Sequence, residues 1–160
     1  MYPDEGGDGW LLIPGVSLTR VRVLRPRREG ALPLALGTSG LTDRAGECLV
    51  VGAGHPFVEI ALVPDCGCDA CDSGSADLLR TLDDAVLPVV DGSLRVRVEG
   101  GTTQIATAES AGSGTTDGRG ARELRRALGG RAHEYAGLPW DAGWPERSPH
   151  PYIETVSPSA

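Results

Sequence analysis

The sequence predicts an α+β fold: a mostly antiparallel sheet of about five or six strands, one main helix packed on a face of it, and a short C-terminal helix. Three observations lead there. Four short apolar or alternating runs follow one another between Thr19 and Val63 with no helical pattern between them. One strong helical pattern follows, over 75–90. Turn formers are abundant, with 23 glycines and 12 prolines, so the connections are short and numerous. A chain of 160 residues is about one domain. The expected layout is a loose N-terminal segment over 1–18, a single α+β domain over 19–135, and a Pro/Trp-rich irregular tail over 136–160.

The elements can be justified in order. Thr19 to Leu24 alternates valine with arginine, the mark of a half-buried strand with Val21 and Val23 inward. A Pro-Arg-Arg-Glu-Gly turn leads to a second strand over 32–36, and residues 37–46 read as a loop. Cys48 to Val51 and Phe57 to Val63 are two further strands, joined by a glycine-bearing link that suits a hairpin. The helix over 75–90 repeats Leu78, Leu82, Ala85 or Val86 and Val89 at helical spacing. Ser73 or Ser75 can cap it, and Pro88 predicts a kink or an end near Leu87. Leu94 to Val98 and Thr102 to Thr107 form a second hairpin around Gly100-Gly101. Residues 110–120 read as a flexible loop, and 121–128 as a short arginine-rich helix stopped by Gly129-Gly130. The tail brings Trp140 and Trp144, which are expected to pack back onto the domain.

Composition excludes several functions. The formal charge is −7, all fifteen basic residues are arginine, and there is no lysine. A Schiff-base lysine and a phosphate-loop lysine are therefore absent. An acidic chain without a basic stripe speaks against nucleic acid and against anionic membrane surfaces. No apolar run is long enough to span a membrane. These features place the protein in the cytoplasm, where its four cysteines are reduced or metal-bound rather than paired.

The sharpest chemistry sits where the fourth strand meets the main helix. Cys66-Gly67-Cys68-Asp69-Ala70-Cys71-Asp72 places three soft ligands in one tight loop. Zinc takes four ligands in a tetrahedron, so Cys66, Cys68 and Cys71 need a fourth, with Cys48, His55 and Asp72 as the candidates and Asp65 or Asp69 as further ones. Cys68-Asp-Ala-Cys71 after a strand and before a helix also has the order of a thiol-redox site. Two features oppose it: the helix starts beyond Cys71, and Asp65, Asp69 and Asp72 disfavour a thiolate. The plainest reading is that the cysteines are small apolar fillers that fix the strand-to-helix turn.

The stretch from Gly52 to Gly92, and above all Pro64 to Asp72, resembles an uncharacterised family of actinobacterial proteins, domain-of-unknown-function family 6226. The likeness extends more loosely from about Val21 to Trp144. It implies a bacterial cytoplasmic protein and carries no activity, cofactor or catalytic residue with it. Members of that family usually hold a helix-rich region before the first strand, which this chain is expected to lack.

The function expected from the sequence is a small soluble domain that binds or supports rather than catalyses, with a protein partner as one option. A zinc-binding protein through Cys66, Cys68 and Cys71, and a thiol-redox protein through Cys68 and Cys71, are the alternatives.

Overall fold

The computed structural model of the chain describes residues 10–11, 16–41, 47–64, 74–115 and 118–148. Contacts divide the chain into two compact units, Met1–Pro26 with Pro33–Leu87, and Arg27–Leu32 with Pro88–Ala160. The mixed α and β character is as expected, but strands dominate more strongly. In place of one sheet of five or six strands there are two, of five and four. The physical reason is that the strands over 95–115 pair with one another through short local connections, as neighbouring strands tend to, and the strand over 133–136 joins the same sheet.

The first unit holds β1 (Trp10–Leu11), β2 (Val16–Leu24), β3 (Leu34–Leu41), β4 (Glu47–Ala53) and β5 (Phe57–Val63), ordered β1-β5-β4-β3-β2. All pairs are antiparallel except β1 with β5, which sets Trp10 opposite Phe57. Along β2, Val21 and Val23 are half-buried while Arg20 and Arg22 are exposed, as the alternation predicts. The register slips between Leu18 and Arg20, and the extra residue, Thr19, donates its Oγ1 to the Thr38 carbonyl at 3.0 Å. β3 runs on through residues expected to be loop, because Gly37 to Gly40 pair with both β2 and β4 and Leu41 pairs with β2. β4 lies between two neighbours, and Val50, Val51 and Ala53 are fully buried on it. A strand buried on both faces reads as a continuous apolar run rather than an alternating one.

The helix α1 spans Ser75–Val90. The carbonyl of Gly74 accepts from the amides of Asp77 and Leu78, so Gly74 holds the capping position and Ser75 is the first helical residue. Pro88 does not end the helix. It falls in the last turn, where little remains to be broken, and the carbonyls of Pro88 and Val90 are taken by the amides of Leu94 and Trp140. The apolar side of α1 is only half covered. Leu78, Leu82, Ala85 and Val86 are half-buried, Val89 is buried, and Leu79 and Leu87 are exposed.

In the second unit β6 (Arg95–Glu99), β7 (Thr102–Ala106), β8 (Ala111–Thr115) and β9 (His133–Ala136) form an antiparallel sheet ordered β8-β7-β6-β9. Val96 and Val98 of β6 point into a core with Leu94, Ala106, Leu128 and Tyr135. On the other side, Arg97 bridges Glu99 at 2.9 Å and Glu134 at 3.3 Å. β8 replaces part of the expected flexible loop over 110–120. Its register is set by the turn before it, where Thr107 Oγ1 accepts from the amides of Glu109 and Ser110 and the Thr107 amide donates to the Ser110 carbonyl. The helix α2 (Gly118–Ala127) ends as expected at the glycine pair, with Gly130 donating to Arg125 and Gly129 to Arg126. Among the described residues no helix is long and apolar enough to cross a membrane.

Candidate functional site

Cys66, Cys68, Cys71 and Asp72 lie outside the described residues, as do Asp65 and Asp69. Two of the proposed fourth ligands are described. Cys48 on β4 faces Ser39 of β3, is 3% exposed, and donates its thiol to the Ser39 carbonyl at 3.5 Å. That is the setting of a small core residue. His55 stands exposed in the turn between β4 and β5, with its ring edge-on to Phe57 at 5.9 Å between centroids. Among the described residues no three His, Cys, Asp or Glu side chains gather as a metal site would require.

A different site is built in the second unit. Asp91-Gly92 ends α1, and Gly92 takes a left-handed φ of +73°. A Cβ there would stand 2.5 Å from the Pro139 nitrogen and 2.7 Å from the Leu138 carbonyl carbon. The segment 137–140 is therefore laid directly on the backbone of Gly92. Main-chain bonds hold it in place: Leu138 donates to the Gly30 carbonyl at 3.0 Å and Trp140 to Val90 at 2.8 Å. The Trp140 indole adds a bond to Leu32 at 3.0 Å, and Arg28 donates to Pro139 at 3.2 Å. Gly137 approaches equally closely, since its Cβ would lie 2.8 Å from the Leu32 nitrogen. Of the two tail tryptophans, Trp140 does pack back in this way, while Trp144 is 46% exposed.

Beside this crossing lies a cleft of about 160 Å³, lined by Gly92, Arg95, Gly137, Pro139, Arg147 and Ser148 among others. Its two arginines differ. Arg147 sits between two carboxylates, with Nη1 on Asp91 at 3.0 Å and Nη2 on Glu109 at 3.3 Å. Those hydrogen bonds, Asp91 first, hold its guanidinium protonated even more firmly than usual. Asp91 also accepts from the Ser93 amide at 2.9 Å. Arg95 is half-buried, and among the described residues it forms no ion pair. Its Nη1 donates to the carbonyls of Gly92 and Leu94, both at 2.8 Å. Glu146 reaches the same cleft, with Oε1 4.0 Å from Arg28.

Sequence reasoning missed this site. Arg95 fell within the expected strand from Leu94 to Val98, and Arg147 in the irregular tail. Nothing in the spacing of Gly92, Arg95, Gly137 and Arg147 signals that they meet.

Tyr135 of β9 is a second feature the sequence did not announce. It is 6% exposed, and among the described residues its buried hydroxyl has no hydrogen-bond partner. Burial pushes the phenol up from its ordinary 10.0. A buried hydroxyl left unpaired costs about 1–3 kcal/mol, so Tyr135→Phe is expected to raise stability by roughly 1 kcal/mol, read by urea unfolding. The sign with pH follows from linkage. The folded phenol holds its proton more tightly than the unfolded one, so stability is full below pH 10 and falls as pH rises towards the folded value. The phenylalanine variant should lose the part of the alkaline decline that Tyr135 supplies.

A family model described as "Family of unknown function (DUF6226)" matches residues 4–148. No curated protein and no solved structure matches the chain.

Proposed function

The chain belongs to this family of unknown function, and on that premise we propose that it is a binding domain whose ligand site is the cleft beside Gly92 and Arg95. One observation supports the reading most: a half-buried guanidinium is braced in a concave site whose floor is backbone brought together through two glycines. Such a site is pre-organised, which favours binding because little ordering remains to be done when the ligand arrives. Holding a ligand fits the charged groups better than proton transfer does. Asp91 and Glu109 are both engaged by Arg147, and Glu146 lies 4.0 Å from Arg28. A cytoplasmic location goes with this reading.

The test is amide NMR of the labelled protein against a panel of small anionic, neutral and cationic metabolites. Saturable shifts at the amides of Gly92, Gly137 and Leu138 are expected with some members. If no compound at millimolar concentration moves them, the reading fails.

The spacing of Cys66, Cys68 and Cys71 in the sequence supports a second reading, zinc binding, with Cys48, His55 or Asp72 as the fourth ligand. Elemental analysis of protein purified without chelator is then expected to find about one zinc per chain. A content well below that sinks the metal reading and leaves the cleft reading untouched.

A further inference from the structure

We propose that the cleft takes a small carboxylate, gripped by the unshared edge of Arg95. This rests on the reading of the cleft as a ligand site and adds the class of ligand.

A guanidinium offers five N–H groups in a fixed plane. The two on Nη1 of Arg95 are spent on the carbonyls of Gly92 and Leu94, both at 2.8 Å. This leaves Nε–H and the Nη2 pair, and among the described residues neither nitrogen has a partner. The Nε–Nη2 edge is a parallel pair of donors. Two coplanar oxygens on one carbon or phosphorus match it, and such bidentate pairs are stronger and more directional than single contacts.

Carboxylate and phosphate share that chemistry, and charge decides between them. The charge of Arg147 is already met by Asp91 and Glu109. Glu146 adds a negative charge to the lining, 4.0 Å from Arg28. Arg95 is thus the one lining cation with no acidic partner among the described residues. Arg147 is shared by two carboxylates and Glu146 adds a third, so the groups around Arg95 leave no surplus positive charge, and a phosphate near its second ionisation, with up to two negative charges, is repelled more than a monoanion. Size points the same way. A volume of about 160 Å³ holds a few small groups, well below the roughly 300 Å³ where drug-sized pockets begin.

The electrostatic setting makes Arg95 effective. It is half-buried, so its field is less damped by water than that of an exposed arginine. Its two carbonyl bonds fix the plane before the ligand arrives.

The experiment titrates the labelled protein at constant ionic strength with acetate, succinate, inorganic phosphate and the neutral isostere acetamide. The amides of Gly92, Gly137 and Leu138 are followed. Acetate and succinate are expected to give saturable shifts, with phosphate weaker and acetamide without effect. Arg95→Gln is expected to weaken acetate about ten- to a hundredfold, and Arg95→Lys, which keeps the charge and loses the fork, less than Arg95→Gln. The spectrum of each variant without ligand shows whether it is folded. Should Arg95→Gln unfold, the acetate–acetamide comparison on the unaltered protein still decides. If acetamide shifts the cleft amides as strongly as acetate, the carboxylate is overturned while the cleft stands as a ligand site. Phosphate binding tighter than both carboxylates overturns the choice of a monoanion. If nothing in this panel or the wider one moves those amides, both proposals fall together.

Discussion

Gly92→Ala is expected to destabilise the second unit by about 2–5 kcal/mol. Two effects add. The φ of +73° at Gly92 is left-handed, which costs a residue with a Cβ about 1–2 kcal/mol. The new methyl would also lie 2.5 Å from the Pro139 nitrogen, 2.7 Å from the Leu138 carbonyl carbon and 2.8 Å from the Pro139 ring. These neighbours are backbone or a proline ring, and they cannot swing aside as a flexible side chain does. Overpacking of this kind costs about 1–3 kcal/mol more. For a unit of under about 100 residues, each kcal/mol moves Tm by roughly 4–8 °C, so a drop of about 10 °C or more is expected by calorimetry. A drop under about 2 °C would show that residues 138–139 are not laid against Gly92. The same substitution shifts the carbonyl that braces Arg95, so any variant protein that stays folded should also bind acetate more weakly.

Phe57→Ala is expected to be as damaging in the first unit, at about 3–5 kcal/mol. Phe57 is the only phenylalanine in the chain, is 2% exposed, and opens β5 opposite β1. Alanine removes a whole ring from a unit whose other buried side chains, such as Val50, Val51 and Val58, are small. Phe57→Leu keeps most of the volume and is expected to recover more than half of the loss. Urea unfolding of the two variants checks this. Equal stability of Phe57→Ala and the parent protein would place that ring outside the core.

Local elements were the legible part of the fold. The alternation of Val21 and Val23 with arginine, the run Phe57–Val63, and the helix over 75–90 each carry their period in their own residues. The glycine pair after Leu128 stops α2 as its type suggests. What was hidden depends on pairing partners rather than on the period within a run. β8 is Ala-Gly-Ser-Gly-Thr, a poor strand by composition, and it exists because β7 supplies its hydrogen bonds. β9 and the two-residue β1 are likewise too short to show a period, and the split into two sheets is a matter of pairing that no run declares. The candidate cleft was invisible for the same reason. Its arginines are separated by a long stretch of chain, and their difference lies in which carboxylates they meet. The cysteine loop was the loudest signal in the sequence, and Cys66, Cys68 and Cys71, the candidate ligands it offers, lie outside the described residues.

The hydrogen bonds from Trp140 to Leu32 and from Leu138 to Gly30 have a bearing on the order in which the chain can fold. Residues 27–32 belong to the second unit but are made before residues 33–87 of the first. The Trp140–Leu32 bond spans 108 residues. Contacts of such separation raise contact order and slow folding, since a long loop must close before they form. A ribosome releases the protein from the N-terminal end, so Leu32 must wait for a partner made 108 residues later. During that wait β2 and β3 on either side can already pair, holding 27–32 as a tethered hook. The second unit is then finished late, when the segment 137–140 reaches that hook and lies down across Gly92.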